Sequence, residues 1–259
     1  MKISIVTICY NAVDTIENTI LSVINQTYND IEYIVIDGAS TDGTMNIVNK
    51  YRNRISKIVS EPDKGIYDAM NKGIRLATGE WINFMNAGDI FTSNNVVANF
   101  VAKIAPSTTI AYGDTNFLLS SSVIVWKAYP LSYMKDMMCF GHQSVFVRLQ
   151  YHKEHLFDTS FRSSADYKLM YDAYFKDNVS FQYIPIIVAD FDAVGGVSAN
   201  SYCLRLKEDA RIQGIDQSLK WKIKYIYSTM VYYMKRIVKK LIPQHVLDAR
   251  TKRIMDGRQ

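Results

Sequence analysis

SEPDKGIYDAMNKGIRLATGEWINFMNAGD, residues 60–89, is the stretch that decides the fold. Glu61-Pro62-Asp63-Lys64-Gly65 is turn-forming, because Pro fixes φ and Gly frees it. Ile66, Met70, Ile74 and Ala77 then recur at helical spacing, and Thr78-Gly79 stops the helix. Trp81 to Met85 reads as a strand, with Asn86-Ala87-Gly88-Asp89 at its carboxyl end. In open α/β sheets that edge is where ligands bind.

The flanking sequence extends this unit. Residues 3–8 form a short β-branched run, a buried strand. Ile16, Thr19, Ile20, Val23 and Ile24 predict a helix over 14–25, with Asp14 as its cap. A second strand follows over 31–36, a helix over 44–52 and a third strand over 55–59. Strand and helix thus alternate with short loops, the pattern of an α/β domain with a mostly parallel central sheet. Downstream the patterns predict a helix at 94–105, a strand at 108–112 and a hairpin within 115–127. A strand at 145–148, a helix at 164–175, a strand at 181–189 and a loop at 195–198 come next. The last 55 residues read mainly as helix until Pro243. The expected organisation is a domain over 1–204 and a helical, basic extension over 205–259.

Composition supports a globular chain: 48% of the 259 residues are hydrophobic and 21% charged, enough for a full core. Cys9, Cys139 and Cys203 have neither pairing nor metal-ligand spacing, so reduced thiols in a cytoplasmic protein are expected. The first residues lack the pattern of a signal peptide, and no run approaches the ~18 apolar residues of a spanning helix. Charge is unevenly placed. From Arg205 onward there are 14 basic and 5 acidic residues, against 16 basic and 20 acidic before it. A mildly acidic body argues against a nucleic-acid groove, whereas a basic tail suits an anionic surface. Between residues 217 and 247 there is no acid, and Trp221, Tyr225 and Met230 alternate with Lys220, Lys222 and Lys224. Such a helix either lies peripherally on a membrane, here the inner membrane, or packs on the domain with its lysines solvated.

Residues 60–89 also resemble the inverting glycosyltransferases of family 2, in the branch that builds bacterial surface polysaccharides of the colanic-acid and O-antigen type. Five further segments agree in order. Ser4 to Asn11 is similar to the family's first strand and nucleotide loop, and Ser22 to Tyr28 to the end of its first helix. Ile36 to Thr44 is similar to its second strand and loop. Gly141 to Arg148 and Ser164 to Tyr167 are similar to its acceptor-side segments. The resemblance implies a GT-A fold, which is a Rossmann-like nucleotide-binding domain. It also implies transfer of a sugar from a UDP- or GDP-linked donor to a glycan acceptor linked to undecaprenyl diphosphate, in O-antigen, capsule or exopolysaccharide synthesis. A non-catalytic nucleotide-sugar-binding or membrane scaffold protein is the alternative.

Glycosyl transfer requires a held nucleotide, a neutralised diphosphate and, for inversion, a carboxylate that takes the acceptor proton. The resemblance assigns the nucleotide to Thr7, Tyr10, Asn11, Asp37, Asp63 and Lys72. Asp37 could accept from a base or ribose, or simply cap its Asp-Gly turn; many relatives carry two carboxylates where this chain has Asp37-Gly38. Donor sugar or acceptor falls to Asp68, Asn71, His142 and Gln143, the first two lying three apart on one helix face. The family's Asp-x-Asp-Asp turn, which holds Mg²⁺ or Mn²⁺, is here Asn86-Ala87-Gly88-Asp89. A divalent metal therefore falls to Asp89 with Asn86. The general base is Asp166, which follows Ala165 where relatives have Glu; an acid at a helix start is also what the macrodipole favours.

Overall fold

The structure, a computed structural model, describes residues 1–119, 122–192 and 201–239. The expected loop at 195–198 and the tail beyond residue 239 lie outside the described residues.

The first half is built as its sequence implies. Strands β1 (Ile3–Cys9), β2 (Ile31–Asp37), β3 (Lys57–Ser60) and β4 (Trp81–Phe84) pair in parallel in the order β3-β2-β1-β4. Helices α1 (Ile16–Ile24), α2 (Thr44–Lys50) and α3 (Ile66–Leu76) connect them. These strands read as near-continuous apolar runs because both faces are covered. Val6, Ile8, Ile34 and Ile36 pack toward Met70 and Ile74 of α3. Ile5, Cys9, Tyr33 and Val35 pack on the opposite face with Ile16 and Ile20 of α1. Helix α3 lies close on β1: a Cβ on Gly73 would stand 2.6 Å from Cγ1 of Val6. Asp14 does not cap α1. The position before Ile16 is Thr15, and no side chain caps the helix.

The second half makes the sheet mixed. After β5 (Ile90–Phe91) and α4 (Val96–Val101) come β6 (Ile110–Leu118) and β7 (Val123–Trp126), an antiparallel hairpin. Strand β8 (Val145–Arg148) inserts antiparallel between β4 and β6, preceded by a short 3-10 turn at His142–Ser144. Helices α5 (Leu149–Glu154) and α6 (Ala165–Phe175) lead to β9 (Phe181–Asp192), which runs parallel to β6 and carries β5 on its edge. Among the described residues the sheet has nine strands. Two helices follow, α7 (Tyr202–Ile212) and α8 (Leu219–Lys239). The expected boundary at residue 204 falls inside α7.

Candidate functional site

Cys9, Asp37 and Ser60 stand in register at the carboxyl ends of β1, β2 and β3. Asp37 is fully buried there. Its carboxylate accepts hydrogen bonds from the Ser40 backbone N–H at 3.0 Å and Ser60 Oγ at 2.6 Å, and also from Ser40 Oγ. Ser40 Oγ in turn accepts from the Asn11 N–H at 2.8 Å, and Asn11 Oδ1 accepts from Thr41 N at 2.9 Å. Asp37 therefore ties three loops together, and Asn11 does its part at a left-handed φ of 46°. Tyr10, 65% exposed, stands over this edge.

Gly38 explains the single carboxylate at the end of β2. A Cβ there would lie 2.6 Å from Asp63 Oδ2 and 3.2 Å from the Tyr10 ring. The Asp63 carboxylate thus occupies the space beside residue 38 and faces Tyr10 across it. Its other oxygen accepts from the Gly65 N–H at 2.8 Å, which fixes the loop before α3. Tyr10, Gly38 and Asp63 form one open, acid-edged notch suited to the hydroxyls and ring of a nucleoside.

The acidic turn lies beside it. Asn86 to Asp89 continues from β4, closed by the Asp89 N–H bonding to Asn86 O at 2.9 Å. Thr19 of α1 braces it, donating to Asp89 O at 2.8 Å and accepting from Gly88 N at 3.1 Å. His142, from the turn before β8, brings Nε2 within 3.6 Å of Asp89 Oδ2 and 3.3 Å of Asn86 Nδ2. Burial pushes the imidazole down; the hydrogen bond and charge of Asp89, with the charge of Asp166, push it up and prevail. Asn86 Oδ1 is buried without a hydrogen-bond partner.

Asp166 sits in the first turn of α6. Oδ1 accepts from the Tyr67 hydroxyl at 3.0 Å and from the Tyr167 N–H at 2.9 Å. Burial and the Asp166 charge push the Tyr67 phenol far up, so it stays a donor. Asp166 and His142 line one small cavity with Phe84, Met138 and Phe157. The loop entering α6 is held from α7. Glu208 accepts from the N–H groups of Arg162, Ser163 and Ser164 at 2.8, 2.8 and 2.9 Å, and Asp209 accepts from Ser164 Oγ at 2.7 Å.

Other expected residues lie around this space rather than in it. Thr7 is buried in β1, donating to Met85 O at 2.8 Å. Asn71 is buried and brackets the Phe157 backbone, giving to its O and accepting from its N at 2.9 Å each. Gln143 is buried, and its carbonyl accepts from Asn83 Nδ2. Asp68 accepts from Lys64 N at 3.0 Å. Lys72 bonds Pro62 O and Glu61 Oε1, each at 2.9 Å. Asp68 and Lys72 hold the loop that carries Asp63, so they support the notch from behind.

A family model described as "Glycosyl transferase family 2" matches residues 4–162, the segment that contains the notch, the acidic turn and His142. The chain belongs to that family. This glycosyltransferase is 30% identical over 190 residues to a "PGL/p-HBAD biosynthesis glycosyltransferase" of Mycobacterium bovis, covering 68% of this chain and 71% of the relative. It is 37% identical over 95 residues to the Escherichia coli "UDP-Glc:alpha-D-GlcNAc-diphosphoundecaprenol beta-1,3-glucosyltransferase WfaP", covering 36% of this chain and 38% of the relative. Among solved structures, S. aureus TarS 1-349 in complex with UDP-GlcNAc superposes at a TM-score of 0.66 and 18% identity, over 82% of this chain and 66% of that one. The chain spans 39% of the longer S. aureus TarS chain. The mannosyltransferase PcManGT from Pyrobaculum calidifontis, in complex with GDP-Man and Mn²⁺, superposes at 0.62 and 16% identity, over 82% and 62% of the two chains. These likenesses show the GT-A fold. In this glycosyltransferase, sequence reasoning overlooked Ser40, Ser60, Thr19 and Glu208. The only local signal was the Glu208-Asp209 pair, an acidic doublet in a basic tail.

Proposed function

We propose that the chain transfers a sugar, with inversion, from a UDP- or GDP-linked donor to a hydroxyl of a glycan carried on a polyprenyl diphosphate, in bacterial surface polysaccharide synthesis. One observation carries this: Asp166 and His142 line the same cavity, and His142 is tied to the Asn86–Asp89 turn. On this reading a proton acceptor and a group that meets negative charge line one space. The E. coli relative, a diphosphoundecaprenol glucosyltransferase, supports a diphosphoundecaprenol acceptor, and the structural neighbours in complex with UDP-GlcNAc and GDP-Man support a UDP- or GDP-linked donor.

In the reaction, the acceptor hydroxyl attacks the anomeric carbon from the face opposite the nucleotide. Asp166 takes its proton, the new C–O bond forms, and the old bond breaks with its electron pair leaving on the nucleoside diphosphate. Tyr67 holds Asp166 Oδ1 in place. His142, whose affinity for a proton Asp89 raises, faces the departing charge. The donor set beside it fits a divalent ion completed by diphosphate and water: Asp89 and the buried unpartnered Asn86 Oδ1 would hold Mn²⁺ or Mg²⁺. When bound, such an ion supplies Lewis-acid neutralisation of the leaving group.

Thermal-shift measurements with UDP, GDP, CDP and dTDP sugars, with and without Mn²⁺, identify the donor through ligand-linked stabilisation. That donor is then given to the protein with a synthetic polyprenyl-diphosphate-linked sugar, and the product's anomeric configuration is read by NMR. An inverted glycoside is expected. Retention, or a bound donor with no transfer to any lipid-diphosphate sugar, overturns the reading.

A further inference from the structure

Helix α8 is 21 residues long, about 30 Å at the rise of an α-helix. It meets the rest of the described chain along one side only. Tyr232 stacks on Tyr202 of α7 with ring centroids 4.9 Å apart, and Lys207 Nζ stands 5.2 Å from the Tyr225 ring centroid. Trp221 stacks on Tyr225 at 5.1 Å and shares that side. The sequence had offered Trp221 and Tyr225 as membrane-inserting groups; packing on α7 turns them away from solvent, and both are only half-exposed.

The opposite side is a different surface. Leu219, Ile223, Ile226, Met230 and Tyr233 follow at spacings of four and three, so they form one straight stripe. Each is 53–73% exposed. An apolar stripe of this length, open to water, marks an interaction site rather than a scattering of surface residues. Lys220 and Lys222, each exposed, flank its start on either side by helical geometry, and the exposed Tyr227 and Met234 widen it further along. No helix among the described residues is long and apolar enough to cross a membrane.

The borders decide the occupant. A stripe at four-three spacing also fits a coiled coil with a second copy of the chain, but such pairs are set by opposite charges along their flanks. Here the charged residues that border the stripe, Lys220 and Lys222, are both basic and residues 217–247 hold no acid, so two copies would bring like charges together. An anionic bilayer accepts both features: the stripe enters the headgroup–acyl boundary while the lysines meet lipid phosphates.

We infer that the Leu219–Tyr233 stripe of α8 is a docking face for an anionic lipid surface, on which the helix lies flat. This goes beyond the transfer reaction and stands without it, since lipid binding is read directly. The test is sedimentation of the full chain with vesicles of mixed phosphatidylglycerol and phosphatidylethanolamine, and with pure phosphatidylcholine, at low and high salt. Variants are Ile226→Asp/Met230→Asp and Lys220→Glu/Lys222→Glu/Lys224→Glu, each checked for an unchanged thermal midpoint and nucleotide binding. The wild-type chain is expected to bind the anionic vesicles, with a part that survives high salt. Reversing three lysines is expected to weaken binding at low salt at least about 100-fold. The paired Asp variant is expected to lose the salt-resistant part. A wild-type chain that stays in the supernatant at low salt overturns the inference. So does a concentration-dependent dimer, abolished by the paired Asp variant, in a chain that ignores vesicles.

Discussion

The Tyr67 hydroxyl donates to Asp166 Oδ1 over 3.0 Å, joining α3 to the first turn of α6 across 99 residues of sequence. The Tyr167 N–H donates to the same oxygen over 2.9 Å, so Oδ1 is anchored twice while Asp166 lines the cavity. That anchoring suits a base whose direction must be fixed. Asp166→Asn is expected to keep the fold and donor affinity but lower turnover roughly 10²–10⁴-fold. Tyr67→Phe removes only one anchor and is expected to lower kcat about tenfold with donor affinity unchanged. Calorimetric donor binding beside steady-state rates checks both. Near-normal turnover in Asp166→Asn would show that the base lies elsewhere.

The notch between Tyr10 and Asp63 exists because residue 38 has no side chain. Gly38→Ala places a methyl against Asp63 Oδ2 and the Tyr10 ring. Its effect on nucleoside diphosphate binding should overlap with that of Asp63→Ala. Each single variant is expected to weaken binding about tenfold, and the double variant by much less than the product, since both act on one contact. Titration calorimetry on the four proteins measures the coupling; additive losses would separate Gly38 from Asp63.

The parallel half of the fold was legible because it is local. The strand at residues 3–9 and the one at 31–37 are apolar runs buried on both faces, and each is followed by a helix of clear period. The antiparallel entry of Val145–Arg148 between Trp81–Phe84 and Ile110–Leu118 was not legible, because strand pairing is decided by the partner and not by the strand. In the candidate site, the Asn86–Asp89 turn was placed by its position at a strand end and Asp166 by the family resemblance. Asn71 was assigned to the donor sugar or acceptor by resemblance, and the structure gives its amide a partner within the protein. Its amide looks like a ligand-binding group on a polar helix face, but that face is buried, and the amide satisfies the Phe157 backbone. The buried stripe of α3 includes Tyr67 and Asn71, whereas Ile66, at the expected apolar position, is 40% exposed. Asp37 was ambiguous in sequence because its donor Ser60 lies on another strand.

A buried acid away from the site sets a pH limit on stability. Glu32 accepts from Ser4 Oγ at 2.7 Å and from Thr78 N and Oγ1 at 2.7 and 2.9 Å, with Lys57 Nζ at 3.3 Å. Burial pushes its pKa up, but these hydrogen bonds and the Lys57 charge outweigh it and hold it at about 2, below the ordinary 4.5. A lowered folded pKa stabilises above the unfolded value and ceases to do so as pH falls toward the folded one. Glu32 should therefore contribute about 3 kcal/mol at neutral pH, lost progressively between about pH 5 and pH 2. Urea unfolding of wild type and Glu32→Gln across that window is expected to show the gap closing as pH falls. A gap independent of pH would assign the cost of the variant to packing alone.

The Asn86–Asp89 turn offers a divalent ion too few ligands to bind tightly alone. Mn²⁺ affinity, followed by calorimetry, is expected to be weak for the free protein and to rise when UDP or GDP is present, because diphosphate oxygens complete the shell. Asp89→Ala should remove that gain while leaving metal-free nucleotide binding in place. An unchanged Mn²⁺ affinity in Asp89→Ala with nucleotide present would exclude Asp89 as a ligand.

Glu208 and Asp209 of α7 connect the C-terminal helices to the base. Glu208 satisfies three consecutive N–H groups just before α6, and Asp209 holds Ser164 Oγ at the residue that precedes the helix. The geometry makes both positioning residues for Asp166, since neither reaches the cavity that Asp166 lines. Glu208→Ala leaves buried donors unpaired, at about 1–3 kcal/mol each, so it is expected to unfold the α6 entrance and lower stability sharply. Asp209→Asn is the more informative variant, because its amide oxygen can still accept from Ser164. Burial pushes the Asp209 pKa up to about 6, with the charges of Asp166 and Glu208 adding to the rise. A raised folded pKa means that ionisation works against the fold: stability is full below the unfolded value of 3.8 and falls as pH rises through about 6. Asp209→Asn is therefore expected to raise the thermal midpoint at pH 7.5, with the gain shrinking toward pH 5. If the Ser164 clamp positions Asp166, Asp209→Ala, which cannot accept from Ser164 Oγ, is expected to lower kcat with donor affinity unchanged, whereas Asp209→Asn keeps it. An unchanged kcat in Asp209→Ala would leave Asp209 a structural support and no more.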